Sequence, residues 1–278
     1  MLVWAGAFAA IKYLLDAGLT GPEIALARYL ISVPGFVLAY RLAGGLPGIN
    51  RSSLARIAVG GIFGTTVYHI ALNEGERFTT SGTAAVIIGT SPAVTLILAV
   101  ALGMERFSAW RALGLALAFS GVVVVITLGS GETVSFREAK GPLIILIASV
   151  AFALYNILLK PVTAKADPIA ISSAAGLFGT AALLPFLRVD SLDHFSNAGL
   201  WEWTLIVYLG LICTLFAYIA WTIGLRSLDA SRASSYLYGI PPLAVLIGAA
   251  TLGETVTIWL VLGTMMVIGG VAMAQVKR

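Results

Sequence analysis

Polar residues are sparse along this chain, and where they gather they cut it into apolar runs. These runs are Met1–Leu15, Pro22–Tyr40, Leu54–Asn73, Gly82–Leu102, Ala109–Leu128, Gly141–Lys160, Pro168–Leu187, Trp203–Gly224, Ala233–Leu252 and Val256–Gln275. Most reach the length of about 20 residues at which a helix crosses the hydrocarbon core of a bilayer. The pattern predicts an all-α integral membrane protein of ten transmembrane helices. Its first run is short, which predicts further residues ahead of Met1, and no cleavable signal peptide is expected.

The second five runs repeat the first five. Tyr68, Ser81, Gly89 and Pro92 recur 150 positions later as Tyr218, Ser231, Gly239 and Pro242. After a one-residue slip, Glu105, Trp110, Gly114 and Gly121 recur as Glu254, Trp259, Gly263 and Gly270. An odd number of crossings per repeat makes the second copy enter the bilayer from the opposite face, the inverted arrangement of many secondary transporters. The chain therefore divides into a first five-helix repeat, 1–128, an external linker, 129–140, and an inverted second repeat, 141–278, around a central cavity.

Composition puts this fold in lipid. The chain is 59% hydrophobic and 11% charged, against about 25% charge in a soluble protein. With the N-terminus inside, eleven Lys and Arg, among them Arg41, Arg51, Arg56, Lys160 and Arg226, fall on one side of the membrane. Only Arg77, Arg137, Lys140 and Arg188 fall on the other. That asymmetry predicts cytoplasmic N- and C-termini, and the basic balance needs no nucleic-acid partner. The lone Cys213 excludes an intrachain disulfide.

Function has to come from residues inside the bundle, because no loop is long enough for a soluble domain. Pro92, beside Ser91, and the pair Pro241 and Pro242 lie near the middle of the fourth and ninth helices, where proline frees carbonyls and bends a helix. They are candidates for helix bends and gating; the alternative is that proline is common in transmembrane helices. Around them stand Tyr68, His69, Ser91, Tyr155, Asn156, Tyr218, Trp221, Tyr236 and Tyr238. Lipid satisfies none of their polar groups, so they are expected to line an amphipathic substrate cavity with almost no fixed charge. Two readings stay open in places: His69 as a core histidine bonded to a neighbouring helix, and Trp221 as an interfacial residue.

Membrane-embedded charge is scarce: Lys12 in the first helix, Arg28 in the second, Glu23 at its start, and Glu74 and Glu76 closing the third. Lys12 with Asp16 or Glu23 predicts an outer charge network. Lys12 or Arg28 either attracts a substrate carboxylate or ties helix ends together. No carboxylate is expected mid-helix, so a proton relay or sodium site has little support, and flux is expected to follow the substrate gradient. Gly114 and Gly121, with Gly263 and Gly270, predict close helix packing, within the chain or as a dimer seam between the fifth and tenth helices. The expected state is a monomer or weak dimer. No catalytic cluster or metal-ligand spacing appears, so no enzyme activity, cofactor or metal is expected.

The run W-A-G-A-F-A-A-I-K from Trp4 to Lys12, Arg28 in the second helix, Pro92 followed by Gly103-Met104-Glu105-Arg106, and Gly253-Glu254 resemble the EamA branch of the drug/metabolite transporter superfamily. The resemblance covers essentially the whole chain. It implies two inverted five-helix repeats, cytoplasmic termini, and a cavity built mostly from helices one, three, four, six, eight and nine. Tyr68, His69 and the aromatic interior look like the YddG-type exporters of aromatic and other hydrophobic amino acids. The expectation is a bacterial inner-membrane exporter of amino acids or similar amphiphilic metabolites. Other members of the superfamily, drug or metabolite efflux proteins and nucleotide-sugar carriers, remain the alternative. Phosphorylated substrates are disfavoured because helices seven to ten carry no basic residue at their centres.

Overall fold

The computed structural model describes residues 1–104, 108–128, 136–186, 190–228, 233 and 236–275, with backbone alone for 136–139, 190–193, 236, 238 and 275. The linker residues 129–135, the repeat residues Glu105 and Ser231, and the counted charges Arg106, Arg188, Arg232, Lys277 and Arg278 lie outside the described residues. Helices joined by short turns make up the described residues, which include no strand. In chain order the helices are α1 (Leu2–Asp16), α2 (Gly21–Leu42), α3 (Arg51–Glu76), α4 (Ser81–Ala101), α5 (Ala109–Leu128), α6 (Phe136–Leu159), α7 (Pro168–Phe186), α8 (Leu200–Ser227), α9 (Ile240–Leu252) and α10 (Ile258–Gln275). A short helix, Asp190–Asn197, precedes α8.

Among the described residues, seven of these helices, α2 to α8, are long and apolar enough to cross a membrane. The other three expected crossings are shorter: α1 has 15 residues, α10 has 18, and α9 has 13, with a 3-10 turn over Tyr236–Gly239 preceding it. Local chemistry sets the starts. Thr20 and Glu23 form a reciprocal capping box on α2, Asn50 accepts from the Ser53 amide, Thr80 from the Thr83 amide, and Asp167 from the Ile169 amide.

Pro92, Pro241 and Pro242 each stand in the first turn of a helical segment, whereas Pro34 and Pro142 lie inside α2 and α6. Inside α4 the helix stops at Ile88, turns through Gly89 and Thr90, and restarts at Ser91 with Pro92 in its first turn. There the missing N–H removes no bond. The Ile87 carbonyl at the break accepts from the Thr90 hydroxyl at 2.6 Å and the Ser149 hydroxyl at 3.2 Å. Pro241 and Pro242 likewise occupy the first turn of α9. The two interruptions meet, since a Cβ on Gly89 would lie 2.9 Å from Pro241 Cγ.

Two further irregularities have no proline. α3 widens to π-helix over Ile62–Val67, and α8 does so over Tyr208–Phe216. Shifted by the 150 positions of the sequence repeat, the first overlaps the second. A π turn adds a residue to the ladder and leaves a carbonyl without its usual partner, which is why such turns collect side-chain donors.

α5 and α10 cross at glycines. A Cβ on Gly114 would lie 2.5 Å from the Gly270 carbonyl, and one on Gly270 would lie 2.6 Å from that of Gly114. Gly121 and Gly263 mirror this contact at 2.7 and 2.8 Å. In lipid such close backbone approach replaces the hydrophobic drive to pack. The expected small-residue faces thus pack against each other within one chain. Leu113, Val123, Ile258 and Met265 on the same two helices stay exposed, as lipid-facing side chains do.

Candidate functional site

α1, α2, α3, α4, α6, α8 and the start of α9 enclose a cavity of about 40 Å³. Trp4, Phe8, Tyr68, His69, Phe152 and Tyr218 supply its aromatic wall, Ile11, Leu72, Ile88, Leu237 and Ile240 its aliphatic wall, and Arg28 its charge. The rings support one another edge to face: Tyr68 on His69 at 4.7 Å, Trp4 on Tyr218 at 5.9 Å and Trp4 on Trp221 at 5.6 Å between centroids. A second cavity of about 300 Å³ lies beside it, lined by Met1, Trp4, Phe216, Trp221, Leu228 and Ala233 among others. Trp4 belongs to both walls and separates them. Its indole donates to the Cys213 carbonyl at 2.9 Å.

The π turns explain why these polar aromatics stand where they do. In α3 the Gly64 carbonyl accepts from the Tyr218 hydroxyl at 3.1 Å, and the Thr65 carbonyl accepts from His69 Nδ1 at 2.9 Å. A carbonyl only accepts, so Nδ1 carries the proton. In α8 the Leu209 carbonyl accepts from Arg28 and Thr214, and the Gly210 carbonyl from Ser32. Each loosened turn is therefore satisfied by side chains that also line or support the cavity.

Arg28 is 2% exposed. Its Nε donates to Thr214 Oγ1 at 2.9 Å and one Nη2 hydrogen to the Leu209 carbonyl at 3.3 Å. No carboxylate lies within salt-bridge distance of it among the described residues. The expectation of a wall almost free of fixed charge is therefore corrected. Arginine remains protonated in proteins, so the cavity carries one buried positive charge, placed there because the α8 carbonyls draw the guanidinium inward. Arg28 thus ties α2 to α8 and faces the cavity.

The other predicted residues divide into layers. Tyr68, His69 and Tyr218 line the central cavity, and Trp221 lines the neighbouring one. Tyr155 and Asn156 stand behind that wall: Tyr155 stacks on Phe152 and shares a hydrogen bond with Thr222, while Asn156 accepts from Trp221. Ser91 is buried without a hydrogen-bond partner and away from the cavity lining. The side chains of Tyr236 and Tyr238 lie outside the described residues. Pro241 and Pro242 begin α9 next to Ile240, which lines the cavity. Lys12 stays away from it, 3.3 Å from Asp16 and 3.5 Å from the Glu76 carbonyl; Glu23 pairs with His194 instead, at 2.9 Å.

Several participants were not singled out as cavity residues in the sequence. Trp4 figured only in the family pattern, and Phe8 and Phe152 read as ordinary apolar positions. Glu76 differs from expectation. It reads as a polar helix end, yet it is fully buried with both carboxylate oxygens unpartnered, because α6 packs over that end through Gly141 against Gly75. The carboxylate still closes α3, as the sequence places it, and is not mid-helix. At the same end Glu254 accepts from the Ser81 amide at 2.7 Å, the Ser81 hydroxyl at 2.9 Å and the Gly82 amide at 3.2 Å, fastening the α9–α10 turn to the start of α4. Gly253, at φ +68, makes the left-handed turn that brings it there.

With that geometry in place, comparison with known proteins is decisive. The model of the EamA-like transporter family matches residues 1–127 and again 139–275. The chain belongs to the EamA-like transporter family. An uncharacterised transporter of Archaeoglobus fulgidus is 34% identical over 99% of this chain and 95% of its own length. A probable terminal-alkyne amino-acid exporter of Streptantibioticus cattleyicolor is 29% identical over 91% of this chain and 83% of its own. A crystal structure of a protein 18% identical aligns over 99% of this chain and 95% of that one with a TM-score of 0.65, which shows a shared fold. As an EamA-family member with several long apolar helices, the chain is a multi-pass membrane protein.

Proposed function

We propose that this EamA-family protein is a secondary exporter of the bacterial cytoplasmic membrane that moves amino acids or similar small amphiphilic metabolites. Aromatic and other hydrophobic amino acids fit it best. The observation that carries this reading is the central cavity, whose rings suit an apolar body and whose polar groups are few: the Tyr68 hydroxyl, the His69 imidazole and the Arg28 guanidinium. The amino-acid exporter among its relatives supports the same class.

The mechanism is alternating access by two inverted repeats, with ten crossings and cytoplasmic termini, as the charge asymmetry supports. On this topology the cavity beside Met1 and Leu228 opens toward the cytoplasm and the Glu254–Ser81 contact closes the outside. Substrate enters past Trp4, the wall between the two cavities. The central cavity has to widen to seat it, and the broken α4 and the start of α9, touching at Gly89 and Pro241, are where the wall gives. The unit is a monomer or weak dimer.

Purified protein in liposomes, scored for uptake of a labelled amino-acid panel, tests this reading. Phenylalanine, tryptophan, methionine and leucine should show saturable flux that glutamate, lysine and sugar phosphates do not. Preference for glutamate or a sugar phosphate would overturn the substrate assignment.

A further inference from the structure

The central cavity holds a buried guanidinium and no carboxylate to balance it. Arg28 has five N–H donors. Two are used, on Thr214 Oγ1 and the Leu209 carbonyl, and the rest have no hydrogen-bond partner among the described residues. Thr214 is itself held, its hydroxyl donating to the Leu209 carbonyl at 2.8 Å. Ser32 fixes the same stretch from α2 by donating to the Gly210 carbonyl at 2.8 Å. The guanidinium is thus clamped at one edge by α8, leaving its other edge for a planar, bidentate acceptor. A buried charge is costly unless paired; the buried Glu76 carboxylate feels Arg28 electrostatically but makes no salt bridge with it among the described residues, so an anion entering the cavity would supply the missing contact.

The cavity offers nothing comparable to a cation. No Asp or Glu lines it. Its other polar groups are the Tyr68 hydroxyl, the His69 ring and the Tyr218 hydroxyl, the last already committed to the Gly64 carbonyl. Resting on the central cavity as the substrate site, we infer that Arg28 seats the substrate's carboxylate and that the site selects amphiphilic monocarboxylates by that group, not by an ammonium. Neutral amino acids are then one member of a wider class. A zwitterion leaves the cavity with the net charge it had when empty, whereas a carboxylic acid lacking the ammonium neutralises Arg28 outright. Trp4, Phe8 and Phe152 receive the apolar body in both cases.

The test is a ligand series on the purified wild-type protein, read by intrinsic tryptophan fluorescence through Trp4 and Trp221. Phenylalanine and 3-phenylpropionate should bind saturably, with phenylalaninamide and 2-phenylethylamine at least about tenfold weaker, the usual discrimination from a charged bidentate contact. Arg28→Gln should remove the preference for the acid over the amide, and Arg28→Lys should keep part of it. If Arg28→Gln fails to fold, the ligand series on the wild type stands alone. Equal binding of amide and acid, or no binding of any acid, would overturn the assignment. Saturable binding of 3-phenylpropionate without phenylalanine flux in liposomes would instead refute amino-acid export and leave Arg28 as the carboxylate seat.

Discussion

The Tyr218 hydroxyl donates to the Gly64 carbonyl across 3.1 Å, joining α8 to the loosened turn of α3. Its counterpart in the repeat, Tyr68, lines the same cavity with a hydroxyl that makes no hydrogen bond among the described residues. Two tyrosines at equivalent sequence positions thus hold different jobs, one structural and one open to a ligand.

Removing each hydroxyl separates those jobs. Tyr218→Phe removes the hydroxyl that the Gly64 carbonyl accepts from and should cost about 1 kcal/mol of stability, seen as a lower melting temperature in detergent. Tyr68→Phe should leave the melting temperature unchanged and weaken substrate binding severalfold. The opposite assignment of the two effects would show that the hydroxyls have been placed in the wrong roles.

At the α5–α10 crossing, Gly114→Ala and Gly270→Ala drive a methyl into a backbone carbonyl that cannot swing aside. Overpacking of this kind costs roughly 1–3 kcal/mol. Gly269 makes the control, because a Cβ there meets nothing within 4 Å, and Gly269→Ala should be neutral or slightly stabilising. Fluorescence-detected size exclusion after graded heating compares the three directly.

Glu254→Ala strips the start of α4 of an acceptor for two amides and a hydroxyl. The loss should be about 1–2 kcal/mol, as for a helix cap, and it falls on one end of the molecule only. A cysteine placed at Thr83 should then react faster with an impermeant thiol reagent from outside. An unchanged labelling rate would mean that the contact does not hold that end shut.

Pro92→Ala and Pro242→Ala should reduce transport more than they reduce folded yield. Each proline opens a helix after an interruption, so alanine restores a donor and lets the helix extend backward into the break. Wild-type flux in both variants would leave these prolines with no role beyond tolerance.

The chain displayed much of this architecture in its sequence. Apolar length and the 150-residue repeat locate the helices, and residues too polar for lipid point to Tyr68, His69 and Tyr218. Arg28 was visible as an embedded charge, but its direction was not, because that depends on carbonyls freed in α8. The π turns leave no local mark: Ile62–Val67 and Tyr208–Phe216 contain ordinary helix residues, and the extra residue per turn is stabilised by partners more than 100 positions away, such as Gly179 for Thr66 and Tyr218 for Gly64. Trp4 and Phe152 carry no polar signal to set them apart from core. Burial of Glu76 comes from α6 closing over a helix end, a tertiary event that neighbouring residues do not announce.

The most direct test of the cavity as the transport path is thiol accessibility at Ala7, a small residue of α1 on its wall. In a Cys213→Ala background, Ala7→Cys in oriented membranes is treated with a membrane-impermeant maleimide from each side, with and without phenylalanine. Alternating access through this cavity predicts labelling from both sides and protection by phenylalanine on both. Labelling from neither side, or labelling that phenylalanine leaves unchanged, would contradict the account and place the substrate elsewhere in the bundle.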